Sequence, residues 1–131
     1  IQDLPYGDGT FDWVLCSHVL EHVPDDRSGM REIRRVLKPR GQAILMVPIH
    51  LDLDETREDP DMWQEEASRR RWFGQEDHLR LYARNAFIES VESAGLRVRE
   101  VCGGDIAVSS LKYGIDPQSV LYVVQPDQDT E

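Results

Sequence analysis

Asp12-Trp13-Val14-Leu15-Cys16, then Met30-Arg31-Glu32-Ile33-Arg34-Arg35-Val36-Leu37, then Gln42-Ala43-Ile44-Leu45-Met46-Val47 are the three runs whose reading decides the fold class. The first is a short continuous apolar run behind the turn signal Gly7-Asp8-Gly9, which predicts a strand over 12–16 buried on both faces. In the second, Met30, Ile33, Val36 and Leu37 recur at helical spacing while Arg31, Glu32, Arg34 and Arg35 fall on other faces. That predicts an amphipathic helix ending at Leu37 and started at Asp25 or Asp26, residues suited to capping. Lys38-Pro39-Arg40-Gly41 ends it, and 42–47 is a second apolar run of strand length. Strand, helix and strand in immediate succession imply a right-handed crossover in a parallel sheet, hence an α/β class.

Working outward, residues 49–84 are acidic first, then basic and aromatic, with Trp63, Trp72, Phe73 and Tyr82 and no sustained period. They predict a mobile or partly helical excursion, the kind of segment where function is often found. Residues 85–94 read as a helix with Phe87, Ile88, Val91 and Ala94 inward and Gly95 as its stop. Residues 96–102 alternate as a half-buried strand, Gly103-Gly104 breaks it, and 119–125 is a last strand; 126–131 is expected to fray.

A chain of 131 residues is the size of one ordinary domain, and its 40% hydrophobic and 31% charged residues are those of a globular protein. A net charge of -10 argues against nucleic acid, which needs clustered positive charge. The basic run of Arg69, Arg70 and Arg71 follows an acidic stretch and is expected to pair locally. Cys16 and Cys102 are too few for a disulfide framework, and reduced, buried thiols in a cytoplasmic protein are expected. There is no apolar run long enough to suggest a membrane span or membrane partner. Ile1 opens the chain inside what reads as a strand end or the loop after it, so a piece of something longer is expected.

Asp3-Leu4-Pro5-Tyr6, Phe11-Asp12-Trp13-Val14, Val19-Leu20-Glu21-His22-Val23 and Arg35-Val36-Leu37-Lys38-Pro39-Arg40-Gly41, in that order and spacing, resemble the second half of class I S-adenosylmethionine-dependent methyltransferases. Phe73-Gly74-Gln75-Glu76-Asp77-His78-Leu79-Arg80 and Ala94-Gly95-Leu96 continue the similarity less specifically, toward a bacterial subgroup. The resemblance implies a partial Rossmann-like sheet whose strands are equivalent to 4, 5, 7 and 6, with flanking helices, in a single and truncated domain. It makes Asp12 the opening of the fourth strand and the Lys-Pro-Arg-Gly turn the entry to the fifth, with Arg40 standing where the family has its first glycine.

The family also holds its cofactor over a Gly-x-Gly-x-Gly turn and an acidic residue on the second strand. Neither segment is in the sequence. By resemblance, S-adenosylmethionine would meet Ile1 and Gln2 beside the adenine, and Ser17 and His18 near the methionine part. A cofactor held by this chain alone is expected to bind weakly. The acceptor is expected to be a small molecule of unknown class, with His78 and Arg80 lining its pocket or serving as base; a structural network packing the excursion is the equal alternative. In the family order 3-2-1-4-5-7-6 the fourth strand would be an edge here, predicting a homodimer through the exposed strand near Trp13 and Cys16.

His18-Val19-Leu20-Glu21-His22 also fits H-x-x-E-H, the inverted zinc-peptidase signature, which needs a sustained helix and a third ligand. Pro24 limits any helix there to about a turn. Methyltransferases of the ubiquinone-biosynthesis type carry Glu-x-x-Glu-His at this place and bind a divalent metal, so a metal at His18, Glu21 and His22 is the further expectation, beside a plain Glu-His pair under the cofactor. Asp52-Leu53-Asp54 is not a calcium loop, because Arg57 and Trp63 occupy the positions needing glycine and a bidentate Glu. Three functions are therefore weighed: methyl transfer, a non-catalytic interaction module using its sheet edge, and a metal-dependent hydrolase.

Overall fold

A computed structural model describes residues 1–105, 116 and 118–127. The chain runs β1 (Phe11–Ser17), a 3-10 turn (Leu20–His22), α1 (Asp26–Val36), β2 (Leu37–Met46), β3 (Ile49–His50), β4 (Arg57–Glu58), a second 3-10 turn (Pro60–Met62), α2 (Glu66–Phe73), β5 (Arg80–Ala83), α3 (Arg84–Ser93), β6 (Leu96–Cys102), a third 3-10 turn (Gly103–Asp105) and β7 (Val120–Pro126). The main sheet has the order β1-β2-β7-β6. Its first pair is parallel and the other two are antiparallel. This is the α/β arrangement, and the strand set equivalent to 4, 5, 7 and 6, that the sequence predicts.

α1 forms where its apolar spacing requires: Met30, Ile33 and Val36 are buried, and Asp25 caps the start by accepting from the Ser28 N–H at 2.9 Å. Asp8, Glu32 and Arg35 form a brace on its outer face. Arg35 donates to the carbonyls of Leu4 and Tyr6, and the Leu4 N–H donates to Glu32 at 2.8 Å, so the helix fixes the path of the first eight residues. Those bonds hold the Glu32 carboxyl down at about 2, with Arg35 the larger cause and Leu4 the next.

Two boundaries differ from expectation for a physical reason. β2 begins at Leu37, paired with Phe11, and the register then jumps to Trp13 beside Gln42, so residues 38–41 bulge out of the ladder. The glycine this bulge requires is Gly41: an added Cβ would lie 2.8 Å from the Phe11 carbonyl and 3.1 Å from backbone atoms of Lys38. Arg40, by contrast, points outward. β1 is not buried on both faces: Trp13 and Leu15, which share one face, are 60% and 69% exposed, and no described strand pairs with its far edge.

The core lies between the main sheet and the helices, where Tyr82, Phe87 and Tyr122 stack edge to face at 5.1 and 5.2 Å. Phe87, Val91 and Ala94 face inward as expected, and Gly95 ends α3 with φ 79°. A side chain at Gly95 would also collide with Arg34, whose Nε donates to the Gly95 carbonyl. Cys16 is buried, but Cys102, expected to be buried, is exposed.

The excursion is more ordered than its sequence suggests. β3, β5 and β4 make a small second sheet, and Arg69 and Arg70 pair locally with Glu66, Glu76 and the Trp63 carbonyl. β5 was not foreseen because four residues give too short a period to recognise. Of the tail expected to fray, Pro126 ends β7 and the Asp127 N–H donates to Gly95; 128–131 lie outside the described residues.

Candidate functional site

The site forms where β1 ends. The chain leaves the strand at Ser17, and His18 turns it with φ 53°, a left-handed conformation uncommon for a residue with a side chain. The His18 N–H donates to the Met46 carbonyl at 2.8 Å, tying the turn to the end of β2. Leu20 then drops into the core and draws Glu21 inward with it, so that Glu21 is only 1% exposed. The helical piece here is the three-residue turn Leu20–His22, closed off before Pro24. That is far shorter than the helix a zinc peptidase needs to present two histidines on one face.

Around the Glu21 carboxylate three imidazoles gather. His18 Nδ1 is 3.2 Å from Oε1, and His22 Nε2 is 3.8 Å from the same atom. Oε2 is buried and without a hydrogen-bond partner. From the excursion comes His78, 5% exposed, whose ring meets that of His22 edge-on at 4.8 Å. Burial and the neighbouring His22 hold the His78 imidazole below its usual range, against the opposing pull of Glu21 and Asp77. Main-chain bonds keep the two segments in register: the Leu79 N–H donates to the Glu21 carbonyl at 2.9 Å, and His22 Nδ1 is 2.9 Å from the Asp77 carbonyl.

Arg80 secures the other side of this junction. Its fully buried guanidinium donates to the carbonyls of Leu20, Val23 and Pro24 at 2.6–2.9 Å and to Glu58 Oε1 at 2.8 Å. Asp26 Oδ2 lies 3.7 Å from its Nε and accepts from the Tyr82 hydroxyl at 2.6 Å. Burial opposes the charge on Arg80, and the Glu58 hydrogen bond together with the nearby Tyr82 oxygen and Asp26 carboxylate outweighs it. Trp63 lies under the guanidinium, 5.8 Å from ring centroid to Cζ, and donates through its indole N–H to the Leu79 carbonyl. Both terminal nitrogens of Arg80 are thus spent on packing the excursion against the β1 turn, its buried Nε is left without a hydrogen bond, and His78 alone of the pair stands beside the Glu21 cluster.

On the other face, Ile1 packs over α1, where an added Cβ on Gly29 would sit 3.4 Å from its side chain. Ile1, Cys16 and Val19 line one apolar groove of about 430 Å³ that runs along β1 past Phe11 and Trp13. The structure therefore brings Ile1 to the β1 end, with the exposed residues Ser17 and His18 between the lining residues Cys16 and Val19. Gln2 is exposed and outside the lining.

Residues 1–45 match the family described as "Methyltransferase domain". That match covers about a third of the chain, and the chain's fold is similar to that of solved methyltransferases. It is 42% identical over 62 residues to 2-methyl-6-phytyl-1,4-hydroquinone methyltransferase 1, chloroplastic, of rice, Oryza sativa subsp. japonica, an alignment covering 47% of this chain and 19% of that protein. With demethylmenaquinone methyltransferase of Bacillus subtilis it shares 43% identity over 44 residues, 34% of this chain and 19% of the relative. The chain thus spans about a fifth of the length of these curated relatives. In fold it is similar to 1,6-didemethyltoxoflavin-N1-methyltransferase of Burkholderia thailandensis, solved with its namesake compound and S-adenosylhomocysteine, at a TM-score of 0.59 and 14% identity, over 97% of this chain and 48% of that one.

The segment matched by the family contains the β1 end, the turn with Glu21 and His22, and all of α1. His78 and Arg80 lie beyond it. Sequence reasoning found each group separately but not their meeting, since 55 residues separate His22 from Asp77 and no periodicity reports a contact at that range. Nor did it find the Glu32–Arg35 brace; two residues three apart with opposite charge were the available signal.

Proposed function

We propose that this chain forms one wall of a site that transfers the methyl group of S-adenosylmethionine to a small-molecule acceptor. The observation that carries the reading is that the methyltransferase match, residues 1–45, ends in the two parallel strands whose carboxyl ends bear the candidate residues. In open α/β sheets ligands bind outside the carboxyl ends of the strands, and Ser17, His18 and Met46 are there. The residues present suit one side of such a cofactor: Ile1 offers an apolar surface for a flat base, while Ser17 and His18 offer polar groups at an exposed strand end.

S-adenosylmethionine, when bound, supplies an electrophilic methyl group on a sulfonium. The chain's own part is to orient the acceptor and exclude water along the apolar wall of Ile1 and Val19. His78, held neutral by burial, is suited to accept a proton at an imidazole nitrogen from an acceptor hydroxyl or amine. Arg80 keeps His78 beside the β1 turn and takes no proton. With only this wall available, the chain by itself is defective in cofactor binding, and a dissociation constant of about 1 mM, some 4 kcal/mol, is expected. Titration with S-adenosylhomocysteine followed by backbone amide NMR should move the signals of Ser17, His18 and their neighbours. Unmoved signals there at ~5 mM ligand would sink the proposal.

The exposed edge of β1 favours a second reading, an interaction module that pairs this strand with a second copy of the chain near Trp13 and Cys16. Trp13 and Leu15 are exposed on a strand whose far edge has no partner among the described residues. Light scattering should then find a dimer that Leu15→Lys disrupts, and a monomer across the micromolar range rules this second reading out.

A further inference from the structure

We propose that Glu21, His22 and His78 bind one divalent transition-metal ion, with zinc the best match to a set of two imidazoles and one carboxylate. One ligand-capable atom from each of the three lies within 4.8 Å of the others. With metal–ligand bonds of about 2.0–2.2 Å, a single ion can gather them with small side-chain adjustments.

Two independent details point to a ligand rather than to a plain polar cluster. The first is the tautomer of His22. Its Nδ1 lies 2.9 Å from the Asp77 carbonyl oxygen, which can only accept, so Nδ1 is a donor and Nε2 is the nitrogen left to offer a lone pair to a metal. Nε2 is the nitrogen that faces Glu21, at 3.8 Å. A carbonyl behind one ring nitrogen, orienting the other toward a cation, is the second-shell support that metal-bound histidines commonly have. The second is Glu21 itself, 1% exposed with Oε2 unpartnered. A buried carboxylate oxygen without a partner is costly, and a cation relieves that cost as water does at an exposed site.

The ligand set differs from the H-x-x-E-H motif at one member. His18 Nδ1 is 3.2 Å from Glu21, but its side chain is 58% exposed at the rim, whereas His78 is buried beside His22 and comes from the excursion. An ion here would join the β1 turn to the segment before β5 and, with three protein ligands, leave a fourth position for water. With the ion bound, His78 is a ligand and no longer a free base, so the two roles exclude each other at this residue, and the test, which uses no cofactor, reads the metal role alone.

Tag-free full chain, stripped with chelator, is titrated with Zn²⁺ in competition with a chromophoric indicator. Roughly one ion per chain is expected, and at free zinc about 100 times the dissociation constant the thermal midpoint should rise by about 10 °C. His78→Ala and Glu21→Gln should abolish stoichiometric binding, while His18→Ala and the control His50→Ala retain it. Should the variants fold poorly, imidazole-nitrogen NMR of the unaltered chain decides, since Zn²⁺ must shift the signals of His22 and His78 and leave His50 in place. Absence of stoichiometric zinc in the unaltered chain overturns the proposal, as does binding that survives His78→Ala but is lost with His18→Ala.

Discussion

Replacing Arg80 with methionine keeps the length and most of the apolar stem while removing the charge and every donor. The guanidinium is completely buried and donates to three main-chain carbonyls and to Glu58, with Asp26 3.7 Å away. Counted singly, hydrogen bonds to a charged group are worth about 1.5–3 kcal/mol each, but they share one cation and do not add. The better bound is the cost of leaving the buried Asp26 carboxylate unopposed, about 3–5 kcal/mol, because Glu58 is exposed and water can solvate it. Arg80→Lys keeps the charge but loses the planar fork that reaches carbonyls on both sides, so a smaller loss of about 2 kcal/mol is expected. Urea unfolding, with the midpoint and slope fitted for all three proteins, measures both. A cost below about 1 kcal/mol for Arg80→Met would refute the assignment of this residue as the clamp between the excursion and the β1 turn.

The remaining predictions concern separate elements. Gly41→Ala should cost about 1–3 kcal/mol in the same assay, because its Cβ has only backbone to meet at 2.8–3.1 Å, whereas Arg40→Gly should change stability by less than about 1 kcal/mol. Burial, with the nearby Glu21 charge, pushes the Cys16 thiol up to about 11, so alkylation at pH 8 should label exposed Cys102 and spare Cys16 until the chain is denatured. Since the folded value exceeds the ordinary 9.0, the thiolate disfavours the fold, and stability should fall as pH rises from 9 toward 11 with a slope that Cys16→Ala reduces. Glu32 has the opposite sign: its folded value, about 2, lies below the ordinary 4.5, so its contribution is complete above pH 4.5 and lost as pH falls toward 2. Side-chain carboxyl NMR should show it ionised at pH 3, when ordinary glutamates are protonated.

Much of the main sheet was legible because each of its elements declares itself locally. α1 has three buried residues at helical spacing and a capping aspartate, and β2 and β7 are continuous apolar runs. β1 was read as a strand but not for its exposure, since an apolar run reads alike whether a neighbouring strand covers it or not. The candidate site was legible only as parts. Glu21 and His22 stood out by their motif and His78 by its aromatic setting, but their convergence depends on Arg80 and Leu79 bonding back to carbonyls of the β1 turn. Such bonds are made to main chain, which has the same chemistry at every position and leaves no mark in the sequence. Arg80 illustrates the limit: an arginine beside a candidate base reads as pocket lining, and only the structure reveals that it is buried with both terminal nitrogens already bonded to protein oxygens.

The clamp also sets the mechanics of access. Arg80 grips the turn that follows β1, Leu79 bonds to Glu21 in that same turn, and Trp63 bonds to Leu79, so the segment before β5 is tied directly to the strand end bearing Ser17 and His18. A displacement that widens the space over His78 therefore drags the carboxyl end of β1 with it. Occupancy on one side of the junction is then expected to change affinity on the other, equally in both directions.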